Sequence, residues 1–189
     1  MKNLLYYSLL LTFLAACHKE TEEKVEIFLP GQKLFGSGMA LKVVPGVGKE
    51  PWEASGGCAR QKERRDLFDL ELGTVNNDNE RRESLAINEI LLASGRYNIQ
   101  AGGPLNTSDG IIGASYHRLL ADGDVVVASY YAMDYDNPAN FVEVTVDTVA
   151  RTAKGTFSVA FKLLSQDLGQ DFPETVIFKD GTFDVRFIR

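Results

Sequence analysis

Histidine, cysteine and tryptophan are scarce in this chain: two, two and one in 189 residues. With only His18 and His117 to draw on, a histidine-based catalytic triad or a multi-histidine metal centre has almost nothing to be built from. Cys17 and Cys58 lack Cys-x-x-Cys spacing, which removes the common redox motif. Positive charge is also in deficit, with 20 Lys and Arg against 26 Asp and Glu and a net charge of −6. Such a chain is poorly suited to neutralising phosphates, so no nucleic acid is expected as a partner. It would also be repelled by anionic headgroups unless something else held it to a membrane.

The only long apolar run is at the start. In MKNLLYYSLLLTFLAAC, Lys2 supplies a positive charge, Leu4 to Leu14 form an apolar stretch of eleven residues, and Ala15 and Ala16 are the small residues a signal peptidase requires. Such a stretch rises about 16 Å as a helix, roughly half a hydrocarbon core, which is too short for a stable span. Residues 1–16 are therefore expected to be an export signal. The cysteine directly after Leu14-Ala15-Ala16 resembles the lipobox of bacterial lipoproteins, and the resemblance implies cleavage before Cys17 and attachment of diacylglycerol to its sulfur. The plainer alternative is a secretory signal followed by a chance cysteine; position, small residues and apolar stretch together favour lipidation. Each buried methylene contributes about 0.8 kcal/mol, so two or three acyl chains hold a protein durably on a membrane. With Cys17 acylated, Cys58 has no partner for an intramolecular disulfide, and its setting in Gly56-Gly57-Cys58-Ala59 suits a small buried strand residue better than a reactive thiol.

Residues 17–27, opening Cys17-His18-Lys19-Glu20, are polar and charged and read as a lipidated flexible tether. The lysine and acids just after the cysteine resemble the surface-export signal of Bacteroidota lipoproteins. The expected location is the outer membrane, with the periplasmic and surface-facing sides both open.

From Phe28 onward apolar residues recur at every second position, and Gly, Asn, Asp and Pro punctuate them. Val142, Val144 and Val146 alternate with polar residues, as do Phe157, Val159, Phe161 and Leu163, and the two runs read as a hairpin across Thr148 to Gly155. Val176 and Phe178 precede Asp180-Gly181, and Phe183, Val185 and Phe187 follow it, which predicts a second hairpin with a two-residue turn. A third is expected around Ala121 to Asp124, where Val125 to Ala128 is apolar on both faces, as in a central strand. Phe35 to Val44, Leu67 to Val75, Ser84 to Leu92 and Tyr97 to Gln100 read as further strands. Ala59 to Leu70 is the best helix candidate, but it lacks an apolar stripe. The expected fold is all-β: an antiparallel β-sandwich or a partly open barrel of about nine or ten strands, in a single domain covering residues 28–189.

Val47-Gly48-Lys49-Glu50-Pro51-Trp52-Glu53-Ala54 resembles the W-x-A opening of small Bacteroidota lipoproteins classed as domains of unknown function. Gly155-Thr156-Phe157 with Asp180-Gly181-Thr182-Phe183-Asp184-Val185 resembles their closing motif. The resemblance implies an all-β envelope lipoprotein and carries over no catalytic residue.

Chemistry is thinly marked. His117 follows Ser115 by two residues without a nucleophile-elbow context, so an ordinary strand histidine is the simpler reading. Met133 to Asn140 is the most polar stretch; Asp134, Asp136 and Asn137 offer hard oxygen ligands of the kind calcium takes, although the spacing is not that of an EF-hand and a plain turn accounts for the same residues. Apart from acyl chains on Cys17, no cofactor is expected. Trp52 and Tyr135 are the candidate ligand-stacking residues, with the core as the plainer place for a lone tryptophan. The pairs Asp122 with Asp124 and Glu50 with Glu53 read as solvated surface. Together these point to a membrane-anchored, non-catalytic envelope module binding a glycan, peptide or envelope protein. The alternatives are a carboxylate-dependent polysaccharide hydrolase and a structural subunit of an outer-membrane complex.

Overall fold

Where apolar and polar residues alternate, strands form, and among the described residues there is no helix. The structure, a computed structural model, describes residues 36–60, 66–101, 111–120, 123–133, 139–167 and 169–188. The strands are β1 (Gly36–Val44), β2 (Gly48–Arg60), β3 (Leu67–Val75), β4 (Arg81–Leu91), β5 (Gly95–Asn98), β6 (Gly113–Leu119), β7 (Val126–Ala132), β8 (Phe141–Asp147), β9 (Thr152–Gln166) and β10 (Thr175–Ile188). The export signal, Cys17, the tether and the Asp134 to Asn137 loop lie outside the described residues.

Of the two architectures expected from the sequence, the barrel is the one found. β1, β2, β3, β4, β6, β7, β9 and β10 pair in that order, all antiparallel, and β10 returns to β1. A closed ring of this size leaves an interior that side chains can fill. Here Phe178 is the hub. Trp52, Tyr116 and Phe161 pack around it with ring centroids at 4.9, 5.1 and 5.8 Å. Fully burying an aromatic or aliphatic side chain of this size stabilises by about 1.5–3 kcal/mol relative to exposure, so these rings contribute to cohesion together with the other buried apolar side chains of the core. The upper end of the barrel carries the turns between β1 and β2, β3 and β4, and β6 and β7. The lower end carries Gly36 and the turn from β8 to β9, where Asp147 Oδ1 accepts from the amides of Val149 and Ala150 at 2.9 and 2.7 Å.

Two wall strands are interrupted at mid-height. β7 leaves β9 at Ala132↔Phe161, and β8 joins the same edge of β9 at Phe141↔Ser158, running in the same direction. Asn140, fully buried, spans the break: its Oδ1 accepts from Ala160 N at 2.9 Å and its Nδ2 donates to Met133 O at 2.7 Å. One side-chain amide thus takes the place of a missing peptide group, as buried backbone polarity requires. β5 stands to β6 as β8 stands to β7, and it pairs with β8 from Gly95↔Val144 to Asn98↔Phe141.

The hairpin expected at Asp180-Gly181 is not there. β10 is one strand, and Asp180, at φ 51°, with Gly181 forms a β-bulge that shifts the register against β9 between Phe178 and Gly181. The extra residue moves the inward phase from even positions (Val176, Phe178) to odd ones (Phe183, Val185), so both apolar runs face the core. Glycine is needed at 181 because a Cβ there would lie 2.6 Å from the Phe157 ring. The first and third hairpins form as expected. β7, with its apolar start, lies between β6 and β9, although Val126 remains 46 % exposed.

Candidate functional site

Two places in the barrel depart from plain packing. The first is inside, near the upper end. On β4 the inward phase of Leu85 and Ile87 also includes Glu83, so a carboxylate is carried into the core. It is met by three donors from neighbouring strands. Lys42 Nζ on β1 lies 2.8 Å from Oε1, Tyr116 OH on β6 donates to Oε1 at 2.6 Å, and Trp52 Nε1 on β2 donates to Oε2 at 2.6 Å. Lys42 also pairs with Glu50 at 2.6 Å, at the mouth. Burial pushes the Glu83 carboxyl up, but the hydrogen bonds from Lys42, Tyr116 and Trp52 outweigh it and hold the group below its ordinary value of 4.5. Burial, then the Glu83 charge, push the Tyr116 hydroxyl well above its ordinary value. Tyr130 packs beside Tyr116 at 5.3 Å, and its buried hydroxyl has no partner among the described residues. A carboxylate held ionised by a lysine is the reverse of the protonated general acid that glycoside hydrolysis needs. The network is suited to orienting strands rather than to moving protons.

The second place is a break in the wall at the lower end. β4 and β5 are consecutive and run in opposite directions, yet they do not pair. Their connection is tied to two different strands: Leu92 N donates to Asp66 O at 2.7 Å beside β3, and Ser94 Oγ accepts from Val146 N at 2.9 Å on β8. The two strands are held splayed, leaving a depression of about 430 Å³. Leu67, Leu91 and Ile112 give it an apolar lining; Arg96, Tyr97, Asn98 and Gln100 line the β5 side. Ile99 N donates to Asn140 O on the β8 side, and Gln100 N donates to Ile112 O on the opposite side. Because antiparallel strands direct successive residues to alternate edges, the N–H and C=O of Arg96 and Asn98 face the depression. No strand pairs with that edge among the described residues. The Arg96 guanidinium lies over the Phe141 ring at 3.5 Å.

Of the candidates from the sequence that fall among the described residues, Trp52 and Glu50 lie at the first place and none lies at the second. Cys17, Asp122, Tyr135, Asp134, Asp136 and Asn137 lie outside the described residues. Trp52 belongs to the Glu83 network and is 3 % exposed, in the core position rather than on a stacking surface. His117 points outward on β6 with Nδ1 3.1 Å from Ser129 Oγ, not from Ser115, and burial lowers its pKa from the ordinary 6.5. Cys58 is buried, and burial followed by the nearby Asp69 charge pushes its thiol up to about 12. Glu53 and Asp124 are exposed, while Glu50 holds Lys42. Among the described residues, no group of three or more His, Cys, Asp or Glu side chains is placed to hold a metal ion. Glu83 and Lys42 were passed over by the sequence reading, though each lies in phase with inward neighbours, and that phase is the signal that finds them.

Fold and opening together define a β-barrel with aromatic side chains packed in its interior and a lateral cleft between β4 and β5. Comparison with protein-family models, with curated proteins and with solved structures gives no match to this chain.

Proposed function

We propose that this chain is a lipid-anchored envelope module that binds a ligand at the opening between β4 and β5. The opening carries the reading: it joins apolar lining to convergent polar groups, the usual composition of a binding site, at a β5 edge with which no strand pairs among the described residues. The anchor is supported by Leu14-Ala15-Ala16-Cys17 and the charged segment that follows, and the outer membrane is the location that pattern favours.

The anchor is tested by expressing full-length protein and a Cys17→Ala variant in a related bacterium, treating intact cells with protease and blotting the membrane and soluble fractions. Wild type should stay with membranes while the variant is released; identical fractionation of the two would remove the anchor from the proposal. Digestion on intact cells assigns the surface-facing side, and protection assigns the periplasmic one.

A further inference from the structure

We infer that the ligand of the β4–β5 opening is a polypeptide segment in extended conformation, held as an added strand on β5; the inference rests on the opening being the binding site. What faces the opening is backbone: the N–H and C=O of Arg96 and Asn98, repeating every second residue, the spacing at which an extended chain offers its own donors and acceptors. Sugars and small metabolites have no such repeat, whereas a peptide satisfies both residues at once. The apolar lining fits the same ligand. Leu67 on β3, Leu91 on β4 and Ile112 before β6 line the opening from outside β5, offering apolar surface to side chains of an added strand. Leu91 is 42 % exposed, an apolar group left open to solvent at the edge of the depression.

The opening is also formed in advance. The bonds from Leu92 to Asp66 and from Val146 to Ser94, with Tyr97 OH donating to Ala93 O at 2.8 Å, fix the splay of the two strands without any ligand. A rigid edge lowers the ordering that binding requires. Charge selects little, because Arg96 is already matched by Glu143 at 3.4 Å. Shape and alternation set the preference: short segments with apolar residues at every second position.

The test immobilises full-length protein in detergent and screens two probes in parallel, a phage-displayed random heptapeptide library and a glycan array. Enriched heptapeptides are resynthesised with N-methyl groups on alternate amides and measured on wild type and on Asn98→Pro, which lacks the N–H at the edge. The expected result is enrichment of peptides with alternating apolar residues that bind about tenfold or more weakly when methylated in the edge-facing phase, and likewise to Asn98→Pro. Methylation in the other phase should leave binding unchanged. Methylated peptides report on unaltered protein, so the inference stays testable if the proline variant does not fold. Peptide binding indifferent to methylation phase overturns the inference. Glycan binding abolished by Leu91→Asp, with no peptide enriched, overturns it while keeping the opening as the site; enrichment on neither probe overturns both.

Discussion

Replacing Glu83 with alanine isolates the energetic role of the buried network. The substitution removes the acceptor of Trp52 Nε1–H and Tyr116 O–H, both inside the barrel, while Lys42 keeps Glu50 as a partner. Each stranded neutral donor is destabilising by about 1–3 kcal/mol, so Glu83→Ala, which strands two, is expected to cost about 2–6 kcal/mol. Glu83→Gln keeps the shape and one acceptor oxygen but sets an amide N–H2 against a donor, and about 1–2 kcal/mol is expected. The chain has one tryptophan, and it is hydrogen-bonded to Glu83, so its emission during urea unfolding reads the perturbed region directly. The pH arm has a definite sign. The native carboxyl binds its proton less readily than the unfolded one, whose value is ordinary at 4.5; the contribution is complete above that pH and is lost as pH falls through the lower native value. Wild type should therefore weaken in acid more steeply than Glu83→Gln. A loss under about 1 kcal/mol for Glu83→Ala, or equal acid sensitivity in wild type and Glu83→Gln, would refute the argument.

Asn140→Ala should destabilise by about 2–4 kcal/mol by stranding Ala160 N–H and Met133 C=O, with faster hydrogen exchange at the Ala160 amide as the local readout. Cys58 should resist a thiol reagent in the native state and react only at the rate of unfolding. The unfolded thiol ionises near 9 and the native one near 12, so its contribution to stability is whole below pH 9 and falls between those values, which alkaline unfolding of wild type against Cys58→Ala can measure. Tyr130→Phe removes a buried hydroxyl without a partner among the described residues and should raise stability by about 1 kcal/mol; a loss of that size in thermal unfolding would mean the hydroxyl is satisfied.

Strand alternation was legible along most of the chain because one face of each wall strand is buried and a period of two follows from that. Asp180-Gly181 shows where the pattern is ambiguous. A two-residue turn and a bulge both place Phe178 and Phe183 on the same face, and only pairing with β1 and β9 on both sides of the bulge decides between them. The filled interior was not legible: a sandwich and a barrel give the same alternation, and closure depends on β10 meeting β1, which are at opposite ends of the sequence. Glu83 looked like the polar residue before a strand that begins one position later, since nothing local shows that Lys42, Trp52 and Tyr116 converge on it from three other strands. The opening was the least legible feature. Ser84 to Leu92 and Tyr97 to Gln100 read as neighbouring strands, and what keeps them apart is the tie of Leu92 to Asp66 and of Ser94 to Val146.

Asn140 has one more implication, for how such a barrel can vary. A side-chain amide carries the join between β7 and β8, so the registers of both strands on β9 are set without reference to the number of residues between Met133 and Asn140. Asn140 is the splice point in the wall. Changing the number of residues between Met133 and Asn140 is expected to leave both registers in place while the asparagine stays, because lengthening a connection changes its closure entropy only slowly. One barrel can in this way carry connections of different length between β7 and β8 without a change of register on β9.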